Sequence, residues 1–393
     1  MSQKNSKSHK ARTQNQAGRN SSSRQSSVRW LFATLLLAVM IMALMIWNFT
    51  RGFNSERRIR ESLQASFLKK DPVETLLLWD RLQEKHPDSL TEKDLVDWAT
   101  TALRADRPMQ ALNILNIWKK KNPENPNGWL LLLDIYRILG QSEEILKVFN
   151  ELKPYRNVSL SASVLAKVTL GLITDIDPQE VRSRLESWVR TEQNHASAAS
   201  ALLQRYLDNP LADDPNRDEQ LQMGRDLVKR FPESMEARLV LFELFMTSGL
   251  SAEASELLQN WPESGRDRIA YYRLTGRFLQ DFREDHQSAA LAFQKALSQM
   301  PYDWKTRYRL ARAYKATGRE FESRSESVLM LKMRERLEPT VLEPQLNQAF
   351  PQGQPPVPYQ LIALLKDLEL LELAKAWSQW MEFQQKLDPI KRN

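Results

Sequence analysis

The chain has 393 residues, with 11 Gly and no Cys. Without Cys there are no disulfides, thiol nucleophiles, Cys-ligated zinc sites or iron–sulfur clusters. So few Gly supply little of the tight turning that a phosphate-cradling or dinucleotide-binding fold requires. The net charge of +7 is confined to the start of the chain, where Lys4, Lys7, Lys10, Arg12, Arg19, Arg24 and Arg29 stand without an acid among them; residues 51–393 hold 49 basic and 49 acidic residues. A neutral body argues against nucleic acid as a partner, because nucleic-acid-binding domains carry a basic footprint.

Residues 1–29 are rich in Ser, Asn, Gln, Lys and Arg. They bury too little apolar surface to offset the entropy of ordering, so a disordered basic tail is expected. Residues 30–50 then run for 21 positions with no charge, Gly or Pro. As a helix this stretch is about 32 Å long, enough to cross a hydrocarbon core of ~30 Å. Trp30 and Trp47 lie near its ends, where amphipathic rings favour the headgroup region. The run is too long for a cleaved signal peptide and has no small-x-small exit, so a transmembrane signal-anchor helix is expected. Seven basic residues precede it, against Arg51, Arg57, Arg58 and Arg60 just beyond it. That bias places the N-terminus in the cytoplasm and the body outside it, a single-pass inner (cell) membrane protein whose body is periplasmic in a bacterium.

Beyond the span the apolar pattern repeats. Shifting Leu95, Trp98, Ala99, Ala102, Asp106, Ala111, Leu115 and Trp118 by 34 gives Trp129, Leu132, Leu133, Tyr136, Gly140, Ile145, Phe149 and Leu152. Shifting Ala111, Leu115, Trp118 and Pro123 back by 36 gives Thr75, Trp79, Leu82 and Pro87. Apolar residues three and four apart give each helix one sticky face. Gly140, Gly249 and Gly318 suit the left-handed residue that ends a helix, and Pro87, Pro123, Pro232 and Pro301 follow the next helix end. One helical hairpin cannot bury its face alone, whereas stacked neighbours can.

Trp129, Leu132, Leu133, Tyr136 and Gly140 resemble the first helix and turn of a tetratricopeptide repeat, and Ala289, Phe293, Ala296 and Pro301 resemble its second helix and stop. Further matches run through Leu241, Phe242, Phe245, Gly249, Ala254, Leu258 and Trp261, through Leu310, Ala311, Tyr314 and Gly318, and through Leu361, Ile362, Leu365, Ala374 and Met381. The resemblance implies an all-α, right-handed solenoid of eight or nine hairpins over residues 51–337. Within it residues 160–230 read as degenerate, with an acidic loop at 208–219. Residues 338–358, with six prolines, read as a connection, and residues 359–390 as a terminal capping pair.

Chemistry is sparse. His9, His86, His195 and His286 stand far apart, and no phosphate-binding loop, nucleophile elbow or His-Glu-x-x-His motif is present. The acidic loop lacks the ligand spacing and turn Gly of a calcium loop, which points to a solvated loop. Trp79, Trp98, Trp118, Trp129 and Trp261 fall on packing positions and read as core. No catalytic residue, cofactor or metal is expected. From Asp303 to Arg336 there are ten basic and five acidic residues. By the resemblance, Lys305, Tyr308, Arg312 and Lys315 face the groove lined by first helices, where cations around an aromatic ring suit an acidic peptide or the C-terminal carboxylate of a protein partner. The expected function is a membrane-anchored scaffold in cell-envelope assembly or secretion. The alternatives are a cytoplasm-facing membrane adaptor and an unrecognised enzyme whose site lies where the repeat breaks.

Overall fold

The computed structural model describes residues 37–45, 55–121, 126–155, 161–173, 178–337 and 358–391. Among them the regular secondary structure is helical, with no strand. The chain divides into two compact units, Met1–Leu90 and Thr91–Asn393.

In the first unit, residues 37–45 are helical and every side chain is exposed. The tail, Trp30, Trp47 and the rest of the candidate span lie outside the described residues. Among the described residues no helix is long and apolar enough to cross a membrane. Two helices follow, α1 (55–69) and α2 (Pro72–Lys85). The Asp71 carboxylate accepts from the Val73 and Glu74 N–H groups and caps α2, satisfying donors that have no intrahelical partner. Thr75 donates its hydroxyl to Ser66 at 2.9 Å, and Phe67 meets Trp79 edge-on, which joins the two helices. His86 is the C-cap of α2, ahead of a 3₁₀ turn at Pro87–Ser89.

The second unit is a run of helix pairs. They are α3 (Glu92–Arg104) with α4 (Pro108–Lys121), α5 (Pro126–Ile138) with α6 (Ser142–Glu151), α7 (Ala162–Ile173) with α8 (Pro178–Thr191), and α9 (Ala196–Asp208) with α10 (Arg217–Arg230). Then come α11 (Met235–Thr247) with α12 (Ser251–Gln259), α13 (Ile269–Phe282) with α14 (His286–Gln299), and α15 (Trp304–Ala316) with α16 (Glu320–Arg336). A last pair is α17 (Pro358–Asp367) with α18 (Leu371–Lys391); of the proline-rich connection before it, residues 338–357 lie outside the described residues.

First helices open at Glu92, Pro126, Ala162, Ala196, Met235, Ile269 and Trp304, 34 to 39 residues apart. The stretch that looked degenerate therefore keeps the period. Its longest step, 39 residues from Ala196 to Met235, contains the loop between α9 and α10. That loop is shorter than 208–219, because Asn216 and Glu219 form a capping box that opens α10 at Arg217.

The turn inside each regular hairpin uses one left-handed residue. Gly140, Gly249 and Gly318 have φ of 67°, 72° and 73°, while Lys70, Asp106, Glu284 and Glu369 take the same conformation at 57°, 56°, 52° and 60°. In six of these seven turns the next N–H reaches back to the first helix, as Gln141 does to the Tyr136 carbonyl at 2.8 Å, Leu370 to that of Leu365 at 2.8 Å and Asp285 to that of Leu279 at 3.0 Å. A non-Gly residue there costs roughly 1–2 kcal/mol, whereas Gly costs ~0.4–1 kcal/mol through the unfolded chain. The exposed Glu284→Gly change is thus expected to stabilise the protein by roughly 0.5–1 kcal/mol, read as a higher urea midpoint. An unchanged or lower midpoint would show that this turn is not strained.

Neighbouring first helices pack directly on one another, α3 on α5, α5 on α7, α9 on α11, α11 on α13 and α13 on α15. No second helix packs comparably on the next second helix among the described residues. First helices therefore pack on their first-helix neighbours more closely than second helices do on theirs in this unit. The core is built as the spacing implied: Trp98, Trp118, Trp129 and Trp261 are all at most 5% exposed.

Contacts between distant hairpins hold the unit together. The Glu192 carboxylate accepts from the Met109 and Gln110 N–H groups at 2.8 and 3.2 Å, capping α4 from 82–83 residues away. Glu143 accepts from the Ala270 N–H at 2.7 Å and from Arg268 at 2.9 Å, so α6 caps α13. Carboxylates at helix N-termini are favoured by the unsatisfied N–H groups and the helix dipole.

Candidate partner-binding surface

The helix α15 exists because its sequence caps and buries itself. Asp303 accepts from the Thr306 N–H at 3.1 Å and from its hydroxyl at 2.6 Å. Thr306, Leu310, Ala313 and Tyr314 go into the core. That register leaves Lys305, Tyr308, Arg312 and Lys315 on one exposed face. The Arg312 guanidinium lies 5.9 Å from the Tyr308 ring centre, and the Lys305 ammonium 5.7 Å from that of Trp304. Both cations are within range of ring attraction. The four candidate residues are thus brought together, at spacings of three, four and three.

The charge around them is less lopsided than the sequence suggests. Of the ten basic residues between Asp303 and Arg336, at least five are in ion pairs: Arg307 with Glu326, Arg309 with Asp281, Arg319 with Glu322, and Lys332 and Arg336 with Asp367. Arg312 and Lys315 have no ion-pair partner among the described residues.

Beside this face runs a ladder of charges on first helices. Glu243 on α11 pairs with Arg277 on α13, and Asp281 on α13 pairs with Arg309 on α15 at 2.9 Å. Gln280 donates to the Arg309 carbonyl at 3.0 Å. Asp208, at the end of α9, feels the fields of Lys305 and Glu243. Its atoms reach solvent, yet the surrounding helices desolvate the carboxyl and lift it above the usual carboxylate range; the Gln204 amide, Lys305 and Arg205 pull it partly back. Burial also lowers Arg309, with Arg277 adding to the effect and Asp281 opposing it. The side of α9, α11, α13 and α15 that carries these residues is therefore a polar, partly desolvated surface, not an apolar one. Motif reading missed these residues. A signal was available, because Asp134 and Lys167, and Glu243 and Arg277, are opposite charges about one period apart on successive first helices.

Asp303 anchors the surface. Burial alone would raise its carboxyl; Arg273 at 3.2 Å and the two bonds from Thr306 outweigh burial and hold it below the usual range. A depressed folded value contributes stability above the unfolded value of ~3.9, and that stability is lost as pH falls through the folded value. Asp303→Asn keeps the cap but not the charge. It is expected to flatten the acid limb of the stability curve below about pH 4. An acid limb identical to that of the unaltered protein would dismiss this role.

The repeat break holds one polar convergence. Arg182 of α8 pairs with Asp214, donates to the Asn209 carbonyl and lies 5.2 Å from the Tyr206 ring centre. Asp214 also accepts from the Leu211 N–H at 2.7 Å. Its carboxylate is 10% exposed, so the loop expected to be solvated is pinned by a buried pair. These groups satisfy one another. Among the described residues no group of three or more His, Asp or Glu is placed to hold a metal ion. His195 and His286 stand at helix N-termini, and His9 lies outside the described residues.

Among the described residues these features define an all-α protein of repeated helical hairpins with a ladder of charges along its first helices. No family model matches the chain, and no curated protein matches it. Among solved structures it is similar to a tetratricopeptide repeat protein from Parabacteroides merdae, at 17% identity over 66% of this chain and 99% of that one, with a TM-score of 0.30. It is also similar to MamA from Desulfovibrio magneticus RS-1, at 14% identity over 49% and 95% of the two chains, TM-score 0.31. A third is the human IFIT1 dimer with m7Gppp-AAAA, at 15% identity over 84% and 88%, TM-score 0.38. Likeness at this level assigns neither partner nor activity.

Proposed function

We propose that this protein is a membrane-anchored, non-enzymatic scaffold that holds an acidic segment of a partner protein against its first helices. Residues 30–50 are the anchor, with the basic tail in the cytoplasm and the hairpin units on the other side, serving envelope assembly or secretion. The observation that carries the binding reading is the shared exposed face of Lys305, Tyr308, Arg312 and Lys315 on the first helix α15. The anchor raises the effective concentration of the scaffold for membrane partners. An acidic peptide gains charge-assisted hydrogen bonds from the cations and ring contact from Tyr308.

The test is anisotropy with a fluorescent Glu/Asp-rich peptide. Reversing Lys305, Arg312 and Lys315 to Glu is expected to weaken binding at least tenfold. Reversing Arg324 and Arg334 on α16 is expected to change it less than twofold. Equal losses in both variants would reduce the effect to net charge and end the proposal. A C-terminal alkaline phosphatase fusion reads the topology separately: activity supports the extracytoplasmic arrangement, and inactivity favours the cytoplasm-facing adaptor.

A further inference from the structure

The helix α7 is apolar nearly all the way round. Val164, Leu165, Ala166, Val168, Thr169, Leu172 and Ile173 are all less than 9% exposed. A helix of this kind needs cover on more than one side. One side packs on α5 and α6, with Gly171 making room for Ile145. The other cover comes from the far end of the chain, where α18 packs on α7.

The chemistry of that contact is specific. Trp377 is completely buried, and its indole N–H donates to the Thr169 hydroxyl oxygen at 3.0 Å. Thr169 spends its own proton on the Leu165 carbonyl at 2.8 Å, which leaves its oxygen free to accept. Trp380, one turn on, stands edge-on to Trp377 with ring centres 5.9 Å apart. At the rim of the hairpin, Asp367 of α17 meets Lys332 and Arg336 of α16 at 3.3 Å and 3.1 Å, and all three are more than 40% exposed. The hairpin is thus held by a desolvated aromatic anchor on α7 and by weak, solvated polar contacts to α16, the two kinds of contact that make up a binding interface. The hairpin that supplies it is joined to α16 by residues 338–357, a tether about 70 Å long when extended. Between α7 and α9 the first-helix contact is weaker than between the other neighbouring pairs from α3 to α15.

We infer that the face of α7 around Thr169 is a helix-binding seat, and that α18 is its resident occupant. A partner's amphipathic helix with large aromatic residues three apart on one face takes the same seat and displaces it. Tethering gives the resident an effective concentration of order millimolar, so displacement requires a tight competitor or a weakened rim. The rim is the adjustable part, because exposed ion pairs weaken with salt. This seat is separate from the α15 face and does not depend on the function proposed for it.

The probe is a fluorescent synthetic peptide of residues 358–391, added to the full-length protein. Trp377→Ala removes the resident's anchor, and Asp367→Lys turns its rim against Lys332 and Arg336. Both variants are expected to bind the peptide at least tenfold more tightly than the unaltered protein does. A peptide that itself carries Trp377→Ala is expected to lose at least tenfold. Equal binding by all three proteins, no binding by either variant, or equal binding of the two peptides would overturn the inference. Should Trp377→Ala fail to fold by circular dichroism, Asp367→Lys carries the test alone, since it touches exposed groups. Loss of acidic-peptide binding leaves these readouts unmoved, so the two proposals fail independently.

Discussion

Arg182→Ala is expected to destabilise the second unit by about 3–5 kcal/mol, because it leaves a buried carboxylate without its counter-charge. Arg182 and Asp214 have side chains 11% and 10% exposed. After the change Asp214 keeps the Leu211 N–H, one donor for a group that seeks several. The Asn209 carbonyl also loses its donor, and Tyr206 loses the guanidinium beside its ring. The same reasoning predicts the opposite for a paired replacement. Arg182→Met with Asp214→Leu removes both charges and both desolvation costs, and should fall within about 1–2 kcal/mol of the unaltered protein. Urea unfolding with a constant slope reads both. A midpoint barely moved by Arg182→Ala would mean that the pair is solvated, as the composition of the loop suggests. The consequence reaches beyond the loop. The pair ties α8 to the loop between α9 and α10, inside the 39-residue step.

The hairpins were legible because their signals are local. Gly140, Gly249 and Gly318 mark turns by a backbone need that few other residues meet, and the Trp and Ala positions follow helical spacing. The exposed face of α15 was legible for the same reason. Where Lys70, Glu284 and Glu369 take the left-handed turn, the residue type carries no signal, and those hairpins are legible only from the apolar and small residues of their helices, such as Ala289, Phe293 and Ala296. The break at 160–230 lost its motif residues yet kept its period, which motif matching cannot see. Three further features depend on separations of 82 residues or more: the Glu192 cap, the Glu143 cap and the seat of Trp377 on Thr169. A carboxylate that caps a distant helix looks like any surface carboxylate in a sequence. The all-round apolar character of α7 was the available clue that something covers it, but it does not name α18.

Trp118→Ala is expected to cost about 3–5 kcal/mol, the usual loss for emptying the site of a fully buried Trp. The ring is 0% exposed and meets Trp129 edge-on, with centres 5.5 Å apart. Gly128 exists for this ring. A Cβ there would stand 2.4 Å from its nearest indole atom, closer than real Cβ contacts come. Gly128→Ala alone is therefore an overpacking change worth about 1–3 kcal/mol. Trp118→Leu alone errs the other way and leaves a void. Combined, the methyl occupies space the smaller side chain vacates, so the double variant should be less destabilised than the sum of the singles by about 0.5–3 kcal/mol. Additive losses would mean that ring and glycine do not share the space the structure gives them. Because α4 and α5 belong to adjacent hairpins, this contact is a nearest-neighbour coupling, and stability in a repeat array is held largely in such couplings. Loosening it should let α3–α4 open before the rest, seen as faster amide exchange in residues 92–121 than in α13–α16. Uniform exchange across the unit would instead show that the Glu192 cap and the Ser187–Asp106 bond at 2.6 Å suffice to hold the first hairpin in place.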